Sequence, residues 1–220
     1  PHHLPTRTSL ALLLIPLAAL AALLVMFAMM WVEQPNAIWQ PLADSDRPVL
    51  VVLGDYYIYG EIDPVSPQEG RLIRDFRVNS PADLLAMQAA EPERFGAAED
   101  MGLNYLPFAT AYALQQVAPI LAASDKPVEM IAASQLRPAM LTRNDIVFIG
   151  LFSGMGLLED LAFREQGVRL GESYDELRDG PSGRRFTSSE ARSLASPAFY
   201  RDYALLTRFE APGGAQVVVL

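Results

Sequence analysis

From Leu10 to Val32 the chain is an apolar run of Leu, Ala, Met, Ile, Val, Phe and Trp, interrupted only by Pro16, and no charged residue falls between Arg7 and Glu33. At about 1.5 Å per residue the run reaches about 34 Å as a helix, enough to cross a hydrocarbon core of about 30 Å. The pattern predicts a cytoplasmic stub over residues 1–8, a single transmembrane helix over 9–32 that meets the lipid bilayer, a linker over 33–47, and an extracytoplasmic domain over 48–220. A cleaved signal peptide would carry a shorter apolar core and a small-x-small exit. The exit here, Phe27-Ala28-Met29-Met30-Trp31-Val32, is a poor cleavage site, so the run reads as an uncleaved anchor. Arg7 lies on one flank, with Glu33, Asp44 and Asp46 on the other. The positive-inside rule then places the N-terminus in the cytoplasm and the domain in the periplasm, below an inner membrane. Ala18, Ala19, Ala21 and Ala22 permit close helix pairing and hence a homodimer, although alanine is also simply common.

Below the linker the periodicity changes. Val49-Leu50-Val51-Val52-Leu53 and Ile146-Val147-Phe148-Ile149 are continuous apolar runs of strand length, as expected of strands buried on both faces of a parallel sheet. Residues 71–78 read as another strand, through Leu72, Ile73, Phe76 and Val78. Ser80-Pro81-Ala82-Asp83 is a helix start, with a Ser cap, Pro at the first helical position and a carboxylate in the first turn. Phe108, Tyr112, Leu114, Val117 and Leu121 recur at helical spacing over residues 106–121. Residues 127–132 form a short strand, 137–141 a helical turn and 155–166 a further helix. After Gly167 the pattern becomes hairpins: 168–170, 173–177, a turn over 179–183, and 184–187. A last pair, 203–209 and 216–220, is joined by Pro212-Gly213-Gly214. The fold class is α/β: one three-layer-type α/β domain with a mixed, partly parallel sheet and C-terminal hairpins, below a single N-terminal transmembrane helix. The chain opens on Pro1 and closes on the apolar run Gln216–Leu220, which predicts further chain at both ends.

Charge narrows the partners. Beyond Arg7 the chain carries 16 basic and 26 acidic residues, a net charge of −10. An acidic surface excludes nucleic-acid contact from these residues, because phosphate binding needs clustered Lys and Arg. Lys126 is the sole lysine. The chain has no cysteine, which excludes disulfides, thiolate metal sites and cysteine nucleophiles. Its two histidines, His2 and His3, precede the apolar run, so the domain has no His–Ser pair and no His metal ligand. The chain reads as a non-enzyme without cofactor or metal.

Two stretches carry candidate chemistry. Ile149-Gly150-Leu151-Phe152-Ser153-Gly154-Met155-Gly156 is a buried strand, a Gly/Ser turn and a helix start. In open α/β sheets ligands settle at the carboxyl ends of strands, and N–H groups at a helix start favour anions. Ser153, Gly154 and Gly156 are therefore candidate ligands of a small polar or anionic molecule. The spacing matches neither a dinucleotide fingerprint nor a P-loop, and G-x-S-x-G fails because residues 151 and 155 are Leu and Met. The alternative is a tight turn in which glycine supplies backbone geometry. Gly54-Asp55-Tyr56-Tyr57-Ile58-Tyr59-Gly60-Glu61 follows the other buried strand. Asp55, Tyr56, Tyr57 and Glu61 are candidates to line a pocket, against an ordinary strand with amphipathic Tyr at its edge.

Several phrases together carry a resemblance: Gly54-Asp55-Tyr56-Tyr57 with Gly60-Glu61; Ile73-Arg74-Asp75-Phe76 with Asn79-Ser80; Gly102-Leu103-x-Tyr105-Leu106-Pro107; Asn144-Asp145-Ile146-Val147-Phe148-Ile149-Gly150; and Ser173-Tyr174-Asp175-Glu176-Leu177. Across most of residues 48–220 the chain resembles the extracytoplasmic C-terminal region of bacterial membrane-integrated winged helix-turn-helix regulators, the ToxR-like class. The resemblance implies a sensor domain of a single-pass transcriptional regulator whose DNA-binding domain would lie upstream. No DNA-binding residue can be assigned within these 220 positions. The alternative is a membrane-tethered structural or protein-interaction domain.

Overall fold

All five positions of Val49–Leu53 (β1) and all five of Asp145–Ile149 (β6) are buried. The two strands lie parallel and in direct register, Val49 beside Asp145 through Leu53 beside Ile149, at the centre of a five-stranded sheet. Val128–Ala132 (β5) flanks β1 in parallel. Gln216–Val219 (β11) lies parallel to β6 on its other side, with Thr207–Glu210 (β10) antiparallel at the edge. The order β10-β11-β6-β1-β5 explains why the central runs are apolar without alternation: both faces are covered, as parallel sheets require. A computed structural model of the chain describes residues 37–63, 65–171, 176–188 and 202–220.

The chain divides into two units, Pro1–Gln40 and Pro41–Leu220, and the sheets all belong to the second. One face of the five-stranded sheet, with Leu50, Val52, Ile146, Phe148, Val217 and Val219, packs against Leu158, Ala162 and Phe163 of the helix Leu158–Gln166. The opposite face, with Val49, Val51, Val147 and Val218, is equally buried. The helix Phe108–Ala122 contacts β6 and buries Thr110, Val117 and Leu121.

A second sheet departs where β1 ends. Tyr56–Glu61 (β2) pairs antiparallel with Arg71–Ile73 (β3) and with Ala98–Tyr105 (β4). Its inner face forms a separate small core of Tyr57, Tyr59, Val78, Leu84, Phe95 and Ala98 beneath the helices Pro81–Ala90 and Pro92–Phe95. The β2–β4 register shifts between Ile58 and Tyr59. The displaced strand turns at Gly102 (φ 60°), whose N–H donates to Asp100 Oδ1 at 2.9 Å. A third, antiparallel sheet joins Val168–Leu170 (β7), Glu176–Asp179 (β8) and Arg185–Thr187 (β9). Among the described residues the helices are, in chain order, α1 (Gln40–Asp44), α2 (Pro81–Ala90), α3 (Pro92–Phe95), α4 (Phe108–Ala122), α5 (Pro138–Leu141) and α6 (Leu158–Gln166).

Much of the expected layout is present. Ser80 caps α2, its Oγ accepting the Asp83 N–H at 3.1 Å, while Asp83 Oδ2 accepts the Asn79 N–H at 2.9 Å. Gly213 and Gly214 turn β10 into β11 with φ of 101° and 85°. The expected single-pass architecture needs correction. Among the described residues no helix is long and apolar enough to cross a membrane, and the longest, α4, has 15 residues. The single-pass anchor and the inner-membrane placement expected from a transmembrane helix are therefore not supported by the described residues, outside which residues 9–32 lie. The strand expected over 71–78 stops at Ile73, because Arg74 turns its guanidinium onto the carbonyls of Asp75 and Val78 and closes a loop there. The helix expected from 155 starts at Leu158, after a 3-10 turn over Phe152–Gly154. Within the expected linker, Gln40–Asp44 is helical and buries Leu42. Strand β11 is paired on both sides, so its apolar run is accommodated among the described residues. Of the strand expected over 173–177, residues 173–175 lie outside the described residues.

At the amino end of the central strands one buried charge pair closes the sheet. Asp145 is fully buried; its Oδ1 accepts the Gln216 N–H at 2.9 Å and its Oδ2 lies 3.9 Å from Lys126 Nζ. Lys126 also donates to the Leu42 carbonyl. Removing the cation leaves a buried carboxylate uncompensated, which costs about 3–5 kcal/mol. Lys126→Met is expected to destabilise the chain by about that much in urea denaturation, and Lys126→Met/Asp145→Asn by less than Lys126→Met alone. A single-variant loss under about 1 kcal/mol would contradict this account of the pair.

Candidate functional site

Strands β1 and β6 leave the sheet side by side, through Gly54 and Gly150. The Gly54 N–H donates to the Ile149 carbonyl at 2.9 Å. A Cβ on Gly150 would stand 2.9 Å from Gly54 Cα and 2.9 Å from Phe148 Cζ, closer than side chains approach. A Cβ on Gly54 would meet the same ring at 3.0 Å and Gly150 Cα at 3.2 Å. Two glycines let the backbones touch just where the connections diverge, that from β1 leading on toward β5 on one side and that from β6 toward β11 on the other. This is the topological switch point of the sheet, where open α/β folds form a crevice outside the carboxyl ends of their strands.

Asp55 occupies that point. It is 9 % exposed, and its carboxylate is held by donors from two distant segments. Ser134, just past the end of β5, donates its N–H to Oδ1 at 2.9 Å and its hydroxyl to Oδ2 at 2.7 Å. Asn104 on β4 donates its amide to Oδ2. Among the described residues Asp55 has no ion-pair partner. Buried carboxylates persist when hydrogen-bonded, and each such charged bond contributes about 1.5–3 kcal/mol.

Next to it, Tyr56 and Ser153 share a hydroxyl–hydroxyl hydrogen bond of 2.6 Å that ties the start of β2 to the turn after β6. Burial raises the Tyr56 phenol above its ordinary range, against the lowering pull of the Ser153 bond, so the phenol stays protonated at neutral pH. Its ring lies 5.2 Å from that of Tyr105 and 6.4 Å, edge on, from Phe76. The Arg74 guanidinium stacks over both Tyr56 and Phe76, at 4.9 and 4.7 Å from their centroids. Tyr105 and Phe76 are 42 % and 58 % exposed, and Asn104 and Ser134 also face solvent. The arrangement is a nearly buried carboxylate whose donors, and the aromatic rings beside Tyr56, are partly open to solvent.

The expected site residues separate accordingly. Asp55, Tyr56, Ser153 and Gly154 come together; a Cβ on Gly154 would lie 3.3 Å from Gly54 and 3.5 Å from the Asp55 nitrogen. Gly156 serves the backbone, turning at φ 54° into α6. Tyr57 points to the other face of β2, into the small core, where its hydroxyl donates to Asp100 at 2.9 Å. Burial first, then Asp100, raises its phenol. Glu61 lies five residues along β2 from Tyr56 and pairs with Arg71 at the surface. The anionic half of the ligand expectation fits poorly, since the first turn of α6 carries Glu159 and Asp160, which oppose the helix dipole's attraction for anions. Asn104 and Ser134 were not anticipated from the sequence. The signal that would have found Ser134 is its place just past a parallel strand.

An open groove of about 700 Å³ lies elsewhere, between α6 and β7, lined by Glu159, Asp160, Arg164 and Arg169 among others. It carries acidic and basic side chains together. Among the described residues no cluster of three or more His, Cys, Asp or Glu is placed to hold a metal. Comparison with protein-family models, with curated proteins and with solved structures finds no match for this chain.

Two outcomes check the geometry. Gly150→Ala is expected to destabilise the chain by about 1–3 kcal/mol, the usual cost of overpacking. Thermal denaturation measures it, and a neutral substitution would contradict the close backbone approach. Tyr57→Phe is expected to cost about 1 kcal/mol through the lost Asp100 bond, a loss that urea denaturation reads; an unchanged midpoint would deny that bond a share in stability.

Proposed function

We propose that this chain is a ligand-binding sensor domain that takes a small polar molecule in the crevice at the carboxyl ends of β1, β5 and β6. The observation that carries the reading is the Asp55 carboxylate, gathered by Ser134 and Asn104 from segments 79 and 49 residues away and set beside the Tyr56–Ser153 bond. Such convergence of polar groups at a switch point is the common setting of a binding site. An occupant of the crevice would touch both sheets at once, because Asn104 belongs to β4 and Ser134 follows β5. Binding that favours one relative arrangement of those segments would shift the population between arrangements, and signalling needs no more than that. The resemblance of residues 48–220 to ToxR-like sensor regions supports the further reading that the output goes to a DNA-binding reader of a transcriptional regulator.

A second reading, a protein-interaction domain, is favoured by one feature. Helix α4 carries no charged side chain and exposes Phe108, Tyr112 and Ile120, while β4 exposes Met101 and Leu103. Apolar exposure of that kind marks contact surfaces.

Thermal-shift and calorimetric screening of the full chain against amino acids, amines, dicarboxylates, sugars and nucleosides tests the first reading. At least one class is expected to raise Tm, with affinity reduced tenfold or more by Asp55→Asn and less by Ser153→Ala. Tyr57→Phe is expected to leave that affinity unchanged. A ligand bound equally by all three variants, or no response to any class, would contradict the assignment.

A further inference from the structure

Deepening that reading, and resting on it, we infer that the ligand class of the crevice is a primary amine, its ammonium group received by Asp55 and its carbon skeleton laid against Tyr105. An ionised carboxylate offers about four acceptor sites. At Asp55 three are filled by described residues, two on Oδ2 and one on Oδ1, and each of these donors is a neutral group. A negative charge, nine-tenths buried and held among the described residues by neutral donors, is complemented best by a cation brought from outside, for which the count leaves one acceptor site on Oδ1.

The surroundings select in the same direction. Arg74 and Arg137, the cations on the segments flanking the crevice, both bond backbone carbonyls there. Arg74 donates to the carbonyls of Asp75 and Val78 and to Asn79 Oδ1, and Arg137 to the carbonyls of Ser134 and Leu136. An anionic ligand would meet the Asp55 carboxylate, which has no ion-pair partner among the described residues. Tyr105 stacks on Tyr56, is 42 % exposed, and follows Asn104, the Asp55 donor, directly along β4. Aromatic rings attract ammonium groups, as the stacking of Arg74 over Tyr56 and Phe76 already illustrates in this crevice. The net charge of −9 draws cations toward the whole chain.

Calorimetric titration of the full chain with 1,4-diaminobutane and 2-phenylethylamine, against the neutral 1,4-butanediol and the anionic succinate, tests this. The amines are expected to bind, with the diol and succinate at least tenfold weaker. Asp55→Asn is expected to lower amine affinity at least tenfold. Tyr105→Leu, a change at an exposed position, is expected to lower that of 2-phenylethylamine about threefold or more, so the test stands even if Asp55→Asn is poorly folded. Binding of the diol or succinate that depends on Asp55 would overturn the amine assignment and leave the crevice as the ligand site. Amine binding that neither Asp55→Asn nor Tyr105→Leu alters would overturn the amine assignment at this site. No binding by any of the four probes would overturn the amine class too, and the wider screen would then decide the crevice separately.

Discussion

The structure depends on the contact of two glycines. Strands β1 and β6 are each buried at all five positions, and buried strands side by side must leave the sheet without room for side chains between them. Gly54 and Gly150 meet that constraint, and Phe148 closes over both from beneath. Because the backbones touch there, the next residue on β1's exit, Asp55, is carried to the apex of the crevice. The donors of Ser134 and Asn104 converge on that one carboxylate.

From this constraint the two halves of the domain acquire their relation. The large sheet supplies Asp55, Ser134 and Ser153, all from its carboxyl end, while the small sheet supplies Asn104 and Tyr105 from β4. The carboxylate therefore fastens β4 and the turn after β5 to the centre. The bulge at Asp100–Gly102 serves the same end, since it restores the pairing that sets Asn104 opposite Tyr57 and Tyr105 opposite Tyr56. At the other end of the central strands the Lys126–Asp145 pair plays a purely structural part, with its carboxylate wholly enclosed.

How far the sequence could lead depends on which contacts are local. Two central strands were legible because burial on both faces leaves an unmistakable apolar run, and the α2 start because its cap is built from adjacent residues, Ser80 and Asp83. Strand β4 was not legible, since Ala98-Glu99-Asp100-Met101-Gly102-Leu103-Asn104-Tyr105 is exposed along most of its length and broken by a bulge, so no alternation survives. Nothing local to Gln216–Val219 says that it inserts parallel to β6. Of the site, Asp55, Tyr56, Ser153 and Gly154 could be read because strand ends announce crevices. Period-2 alternation already separates Tyr57 from Tyr56, and Glu61, five residues on, lies about 16 Å away along a strand. Asn104 reaches the site only through tertiary folding, and no spacing in the sequence records it, whereas Ser134 is marked by its place just past a parallel strand.

The most direct test of the account is an amide chemical-shift titration of the full chain, labelled with nitrogen-15, against any compound that raises its Tm. If the switch-point crevice is the ligand site, the largest shifts fall on the amides of Gly54, Asp55, Ser134 and Gly154 and on the Asn104 side-chain amide, with Glu61 and Arg71 unmoved. Shifts confined to the groove between α6 and β7, or to the exposed face of α4, would contradict it.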